Sequence, residues 1–223
     1  MNDKNKYLAF AILIGGKSTR FGSDKGLFFF QGKSFISHQL ETVSRFKRDV
    51  FLIANSQQQV QNYVNEIDYT KISAFIVDDY EIGLKQKLSS PLIGLYTAFK
   101  ELQKLGYKKV FVLSCDNPLV KFDVIEFILN HCEGFDCCIP KWKNNFLEPL
   151  FAIYPIRKAY ETSLINLKQR HYKLTKIIGQ DWKINYISIE QYIKKIDPNL
   201  FSFKNINKLE DVKILESILN KTQ

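Results

Sequence analysis

Apolar runs alternate with segments of helical period from the first residues onward. Leu8–Ile14 reads as a buried strand, and a glycine-rich loop follows it. Phe35, Ile36, Gln39, Leu40 and Val43 share one helical face, with Ser34 placed to cap it. Asp49–Ala54 is a second strand, ending at Asn55. Ala74–Val77 is a third, ending in Asp78 and Asp79. Pro91 opens a helix whose face includes Leu92, Leu95, Ala98, Phe99 and Leu102, and Gly106 stops it. Lys109–Ser114 is another buried strand, running into Cys115-Asp116-Asn117-Pro118, and Phe122–Leu129 returns to helix.

Beyond that point the pattern is less regular. Strands are predicted at Asp136–Ile139, Leu150–Tyr154 and Ile184–Ile189, with a closing helix from about Leu209 to Leu219. Alternating strand and helix indicates an α/β layer fold with a mostly parallel sheet, and the last third adds a mixed region. The chain has 223 residues and shows neither an internal repeat nor a linker, so a single domain is expected.

Composition excludes little and redirects one reading. The net charge of +9 comes mostly from lysines spread along the whole chain, a solvated surface rather than the clustered Arg/Lys and aromatic pattern of a nucleic-acid binder. No apolar stretch approaches the roughly 20 residues that cross a bilayer. Tyr7–Ile14 is too short for a signal-peptide core, so a cytoplasmic protein is expected. Cys115, Cys132, Cys137 and Cys138 show no zinc-type spacing and read as small buried hydrophobes.

The loop after the first strand, LIGGKSTRFGSDKG from Leu13 to Gly26, is the densest chemistry in the chain. Its GGKST core looks like the end of a P-loop. The first glycine of that motif would fall at Ala11, and for the similar Gly32-Lys33-Ser34 it would fall at Leu27, so both candidates fail. The dinucleotide motif GxGxxG fails as well, because Gly15 and Gly16 are adjacent. What remains is a strand followed by glycines that bring backbone N–H groups close to an anion, with Arg20 and Lys25 as two cations suited to a triphosphate.

Asp116, after a buried strand, stands where open α/β sheets bind ligands, and its hard carboxylate suits Mg²⁺ bridging to phosphates. The alternative for Asp116 is a cap of the helix starting near Lys121. Asp79 also reads as an ordinary turn aspartate, and Asn55 as a cap of the helix after it. Asn207 has the capping-box spacing to Glu210.

These residues together resemble the nucleotidyltransferases of the molybdenum cofactor guanylyltransferase type. Leu13-Ile14-Gly15-Gly16, Arg20, Gly22 and Lys25 are similar to the family's opening signature. Asn55, Asp79, SPLIG (Ser90–Gly94), CDNP (Cys115–Pro118), EPLFAIYP (Glu148–Pro155) and FKNINKLED (Phe203–Asp211) follow in family order. Ser90 stands where the family usually has glycine, and the loop between Asp79 and Ser90 is longer than the family's.

The resemblance implies a Rossmann-like three-layer nucleotidyltransferase fold, with a nucleotide-binding part over about residues 1–118 and an acceptor-binding part over about 119–223. It implies that Leu13, Ile14, Gly15, Gly16, Lys25, Asn55, Asp79 and Asp116 bind the nucleotide. Lys25, Arg20 and Asp116 then serve catalysis, Asp116 holds Mg²⁺, and Asn205 and Asn207 face the acceptor. The implied reaction is transfer of GMP from GTP to the phosphate of molybdenum-molybdopterin. Molybdenum-insertion proteins and molybdoenzyme chaperones are the implied protein partners. The double glycine Gly15-Gly16, where cytidylyl and sugar-phosphate relatives commonly carry alanine-glycine, favours guanine within this resemblance. Those relatives are the nearest competing reading, and a nucleotide-binding adaptor without catalysis is a further one.

Overall fold

The computed structural model describes residues 6–15, 24–79 and 90–220, with the side chains of 209, 219 and 220 excepted. One seven-stranded sheet runs in the order β5-β4-β1-β6-β8-β7-β9. Its strands are β1 (Leu8–Leu13), β4 (Val50–Ala54), β5 (Ala74–Val77), β6 (Lys109–Ser114), β7 (Cys137–Lys141), β8 (Phe151–Pro155) and β9 (Ile184–Ser188). A two-stranded ribbon, β2 (Phe29–Phe30) with β3 (Lys33–Ser34), stands apart.

β1 pairs in parallel with β4 and β6, and β4 with β5, while β8 runs antiparallel to both β6 and β7. The strands expected from the apolar runs are all present, with ends displaced by a residue or two. The mixed region lies in the later part of the chain, as expected.

β1 is buried along its whole length, and its alternation assigns each face a helix layer. Leu8, Phe10 and Ile12 pack with α1 (Phe35–Ser44) and α4 (Phe122–Asn130). Ala9, Ala11 and Leu13 face α3 (Pro91–Lys104) and α5 (Ile156–Lys168). The result is a three-layer α/β/α sandwich. Between β4 and β5 lies α2 (Gln57–Val64).

A third cluster joins the two ends of the chain. Phe30 and Phe35 pack with Phe201, Ile206, Val212 and Leu215, so the closing helix α6 (Leu209–Asn220) covers the β2–β3 ribbon. The four cysteines are buried free thiols. No helix among the described residues is long and apolar enough to cross a membrane.

Two helices depart from the sequence expectation. α5 was not predicted, because it buries Ser163 and Asn166 on its inner face and so breaks the apolar period. Asn166 is satisfied there by donating to the Lys176 carbonyl at 2.8 Å. The predicted strand ending at Ile189 stops at Ser188, whose side chain accepts from Gln191 N–H and starts a π-helical turn.

Candidate active site

The parallel pairing sends the C-terminal ends of β1, β4, β5 and β6 to one edge of the sheet. Ile14 and Gly15, Asn55, Asp78 and Asp79, and Asp116 all emerge there. Antiparallel β8 brings its N-terminal end to the same edge, since Phe151 sits opposite Leu113, and Glu148 arrives with it. This is the edge at which open α/β sheets place their ligands.

Lys25, Asp116 and Asn207 meet across the chain. The Lys25 Nζ donates to Asn207 Oδ1 at 2.9 Å and stands 3.6 Å from Asp116 Oδ2. Ile206 N–H donates to the Asp116 carbonyl at 2.9 Å, tying the C-terminal segment to the loop after β6. Asp116 and Asn205 line one pocket of about 110 Å³ with Asn117, Glu148, Pro149 and Leu174. Three sequence expectations are thereby brought together: a cation, a carboxylate and the N-x-N segment.

Each of these residues is braced from behind. Asp24 Oδ1 accepts from Tyr63 Oη at 2.5 Å and from Gly26 N–H at 3.1 Å, while its Oδ2 accepts from Gln59 Nε2 at 2.5 Å. Gln59 also donates to the Ile14 carbonyl at 2.9 Å and accepts from Asn55 N–H at 2.9 Å. One buried amide thus joins the start of the glycine loop, its end and the end of β4. A Cβ on Gly26 would lie 2.1 Å from the Tyr63 hydroxyl, so only glycine fits beside this brace. Burial raises the Tyr63 phenol well above its ordinary range, which keeps it a hydrogen-bond donor.

On the other side Gln39 Nε2 donates to the carbonyls of Ser114 and Asn117 at 2.7 and 2.8 Å. Asn117 Nδ2 in turn donates to the Ser202 carbonyl at 3.2 Å. These bonds fix the turn that carries Asp116.

The capping alternatives resolve against capping. Lys121 is the residue before α4, and no side chain caps that helix, so Asp116 does not serve there. Ser56 caps α2, leaving Asn55 outside that role. Asn207 gives its side-chain oxygen to Lys25. Asp211 instead reaches back, accepting from the N–H groups of Asn207 and Lys208 at 2.7 and 2.9 Å.

Ser90, the departure from the family pattern, caps α3 by accepting from Leu92 N–H at 3.2 Å, a role glycine fills less well. Asp79 is held by Lys100 at 2.8 Å, and its N–H donates to Thr97 Oγ1. A Cβ on Gly15 would stand 3.4 Å from Asn55 Cβ, so those two residues are neighbours. Gly16 and Arg20, expected at the phosphates, lie outside the described residues, as does Lys17.

Glu148 is a site residue that the sequence reading did not single out, although its EPL segment carried part of the resemblance. Trp142 Nε1 donates to its Oε1 at 2.6 Å. Burial first, and then the neighbouring Asp116 charge, raise its carboxyl above the ordinary range, while the Trp142 bond opposes them.

Asp116 fits a divalent cation on one direct observation. Its Oδ1 is buried with no hydrogen-bond partner among the described residues, although its Oδ2 lies beside Lys25. No cluster of three metal-ligating side chains occurs among the described residues. A cation here would therefore draw its other ligands from water and substrate phosphate, which is the habit of Mg²⁺ rather than of zinc.

A glycine loop after the first strand, a lysine beside a carboxylate at the parallel strand ends, and the mixed outer sheet define a nucleotidyltransferase of α/β type. The family model described as the MobA-like NTP transferase domain matches residues 10–183, and the chain belongs to that family. It is 33% identical over 210 residues to the "Probable molybdenum cofactor guanylyltransferase" of Pyrococcus horikoshii, covering 92% of this chain and 97% of that protein. A Thermococcus sibiricus protein of the same name is 31% identical, with 93% and 97% covered. Among solved structures, the molybdopterin-guanine dinucleotide biosynthesis protein A of Archaeoglobus fulgidus superposes with a TM-score of 0.74 at 26% identity. That superposition covers 96% of this chain and 99% of that one.

Proposed function

We propose that the protein transfers GMP from GTP to the terminal phosphate of molybdenum-molybdopterin, forming the guanine dinucleotide cofactor and releasing pyrophosphate. The observation that carries this reading is the meeting of Lys25, Asp116 and Asn207 at the ligand edge of the sheet. The names of the relatives support the choice of guanine and of the acceptor.

An oxygen of the acceptor phosphate attacks the α-phosphorus of GTP. The new P–O bond forms as the bond to the β-phosphate oxygen breaks, and pyrophosphate carries away the electron pair. A phosphate monoester has its second pKa near about 6, so the nucleophile is already dianionic at neutral pH and needs no general base. His38 and His131 are engaged elsewhere, with the carbonyls of Phe30 and Phe127.

Catalysis then rests on bringing two anions together and neutralising the charge between them. Lys25 supplies a fixed cation, held in place through Asp24, Gln59 and Tyr63. Arg20 and the Gly16 N–H complete the phosphate cradle in this reading, while the Gly15 N–H is bonded to the Ile53 carbonyl at 3.1 Å and holds the start of the loop. Leu13, Ile14, Asn55 and Asp79 line the nucleotide side, within a nucleotide-binding part of about residues 1–118. Asn205 and Asn207 face the acceptor, in the part from about 119 to 223. Mg²⁺ at Asp116, when bound, supplies further neutralisation at the phosphates. The protein works in the cytoplasm.

The test is thermal denaturation with each nucleoside triphosphate and Mg²⁺. At 100 times its dissociation constant a ligand adds about 2.7 kcal/mol to stability, enough for a plain rise in melting temperature. GTP should give the largest rise, and a larger rise with CTP would contradict the guanylyl assignment.

A further inference from the structure

Among the described residues Asp197 is the acid with no exposed surface at all, and the proposed chemistry gives it no task. It follows the helical turn Lys194–Ile196, and its N–H donates to the Ile193 carbonyl at 2.8 Å. A buried carboxylate is expensive unless an opposite charge and hydrogen bonds compensate it. Both are present. Its Oδ2 accepts from Ser202 N–H at 2.8 Å. The Lys121 ammonium stands 3.0 Å from its Oδ1, an ion pair without hydrogen-bond geometry. That ammonium also lies 5.4 Å from the centre of the Phe201 ring.

These contacts form one end of a seam between two segments, Asp116 to Lys121 and Asp197 to Ile206. Lys121 N–H donates to Ser202 Oγ at 3.0 Å, and Asn117 Nδ2 donates to the Ser202 carbonyl at 3.2 Å. Ile206 N–H donates to the Asp116 carbonyl at 2.9 Å. Ser202 thus holds the first segment through its hydroxyl and its carbonyl, while its own N–H is held by Asp197. The seam begins at a buried ion pair and ends at Asp116, where Asn205 and Asn207 flank Ile206.

The two segments depend on this seam unequally. The Asp116 turn has a second hold, because Gln39 donates to the carbonyls of Ser114 and Asn117. Lys25 has its own brace behind it, in Asp24, Gln59 and Tyr63. The segment from Asp197 to Ile206 passes instead through Leu200, whose φ of 50° lies in the left-handed region that a leucine rarely adopts. Such a conformation persists only where its surroundings over-determine it, and here Leu200 N–H bonds the Asp197 carbonyl at 2.9 Å. Loss of the Asp197 side chain would release this turn from Ser202, so the asparagine segment would shift while the carboxylate and the lysine stay.

We propose that Asp197 is a positioning residue for the transfer reaction. Acting through Ser202, with Lys121 as its counter-charge, it fixes where Asn205 and Asn207 stand relative to Asp116. It touches no substrate, and it governs the fit of the acceptor phosphate without governing that of the nucleotide. This rests on the reading above, in which those two asparagines face the acceptor.

The experiment compares Asp197→Ala and Asp197→Asn with the unaltered full chain, in the presence of Mg²⁺. Three quantities are measured: the KM for molybdenum-molybdopterin at saturating GTP, the GTP dissociation constant by calorimetry, and amide hydrogen exchange at Ile206. Losing a hydrogen bond to a charged acceptor corresponds to a factor of about 10. Asp197→Ala should raise the acceptor KM and the Ile206 exchange rate by about that factor, with the GTP dissociation constant within about threefold of the parent. Asp197→Asn should recover most of both losses, since its amide oxygen still accepts from Ser202 N–H. A part in stability alone would lower the melting temperature and leave the acceptor KM of the folded protein where it was.

An unchanged acceptor KM in folded Asp197→Ala therefore overturns the proposal, as does a KM that moves together with the GTP dissociation constant. If Asp197→Ala does not fold, Ser202→Ala breaks the seam one bond further along, and the same three results are expected of it. An unaltered chain that binds GTP but transfers no GMP to the pterin phosphate overturns the proposed function. Ile206 exchange then decides the placement of the asparagine segment by Asp197, and an unchanged rate overturns it.

Discussion

Asp116 and Asp78 each present a buried carboxylate oxygen without a hydrogen-bond partner among the described residues at the same edge of one sheet, yet their surroundings differ in kind. Asp116 has the Lys25 ammonium 3.6 Å from its other oxygen, a pocket beside it and a second carboxylate, Glu148, within electrostatic reach. Among the described residues, Asp78 Oδ1 faces the bare backbone of Gly94, a point that Leu13 and Ile53 also approach. The same orphaned atom therefore invites two chemistries. Beside a lysine and another acid it suits a cation and the phosphates that accompany it. Among apolar groups it is held more cheaply in its neutral, protonated form.

The largest effect belongs to the Asp116 end. Asp116→Ala should abolish Mg²⁺-dependent turnover while the melting temperature stays near that of the parent, because the turn is held through backbone carbonyls by Gln39. Near-normal turnover with Mg²⁺ would show that Asp116 is not the metal carboxylate. Next comes Lys25. Loss of a charge-assisted contact of about 3 kcal/mol slows turnover roughly 100-fold. Lys25→Ala should show that loss, and Lys17→Ala should stay within a few fold. The reverse ranking on folded variants would return the loop to a P-loop reading.

A smaller effect is expected behind the lysine. Gly26→Ala forces a Cβ into the Tyr63 hydroxyl and loosens the hold on Asp24. Overpacking of this sort costs about 1–3 kcal/mol, measurable by chemical denaturation, and turnover should fall with it. Unchanged stability would mean that the Tyr63 brace yields freely.

The smallest effect sharpens the Asp78 side. Its folded pKa lies near 7 against 3.8 for the free group, so between those values the folded state holds a proton that the unfolded chain has released. Stability from this group is therefore greatest at low pH and is lost as pH rises from about 4 toward 7. Glu148 is shifted in the same direction. Asp78→Asn should then reduce, without abolishing, the decline in melting temperature between pH 5 and pH 8. An unaltered slope would show that Asp78 is solvated in the free protein.

Periodicity carried the sheet and the helices of the first half, because β1, β4 and β6 are continuous apolar runs, α1 keeps one clean face, and α3, buried all round from Leu92 to Phe99, is opened by Pro91 and stopped at Gly106. It failed at α5, where buried Ser163 and Asn166 interrupt the stripe and find partners that no local pattern announces. In the site, Lys25, Asp116 and Asn207 were legible as charged or amide residues at strand and loop ends. The supports were not. Gln59 and Gln39 read as ordinary helix residues, and their work is done on carbonyls and carboxylates 35 to 78 positions away. Asp79 was legible as a strand-end acid, but its pairing with Lys100 depends on the packing of α3, which no local pattern announces.

The central claim is that this cleft joins a guanine nucleotide to a pterin phosphate. It is tested most directly by incubating the purified chain and Mg²⁺ with molybdenum-molybdopterin and either GTP or CTP labelled at the α-phosphate. The account predicts that label from GTP enters the pterin dinucleotide, with one pyrophosphate released for each transfer, and that CTP gives little. Transfer from CTP in preference to GTP, or no transfer from GTP to the pterin, would contradict it.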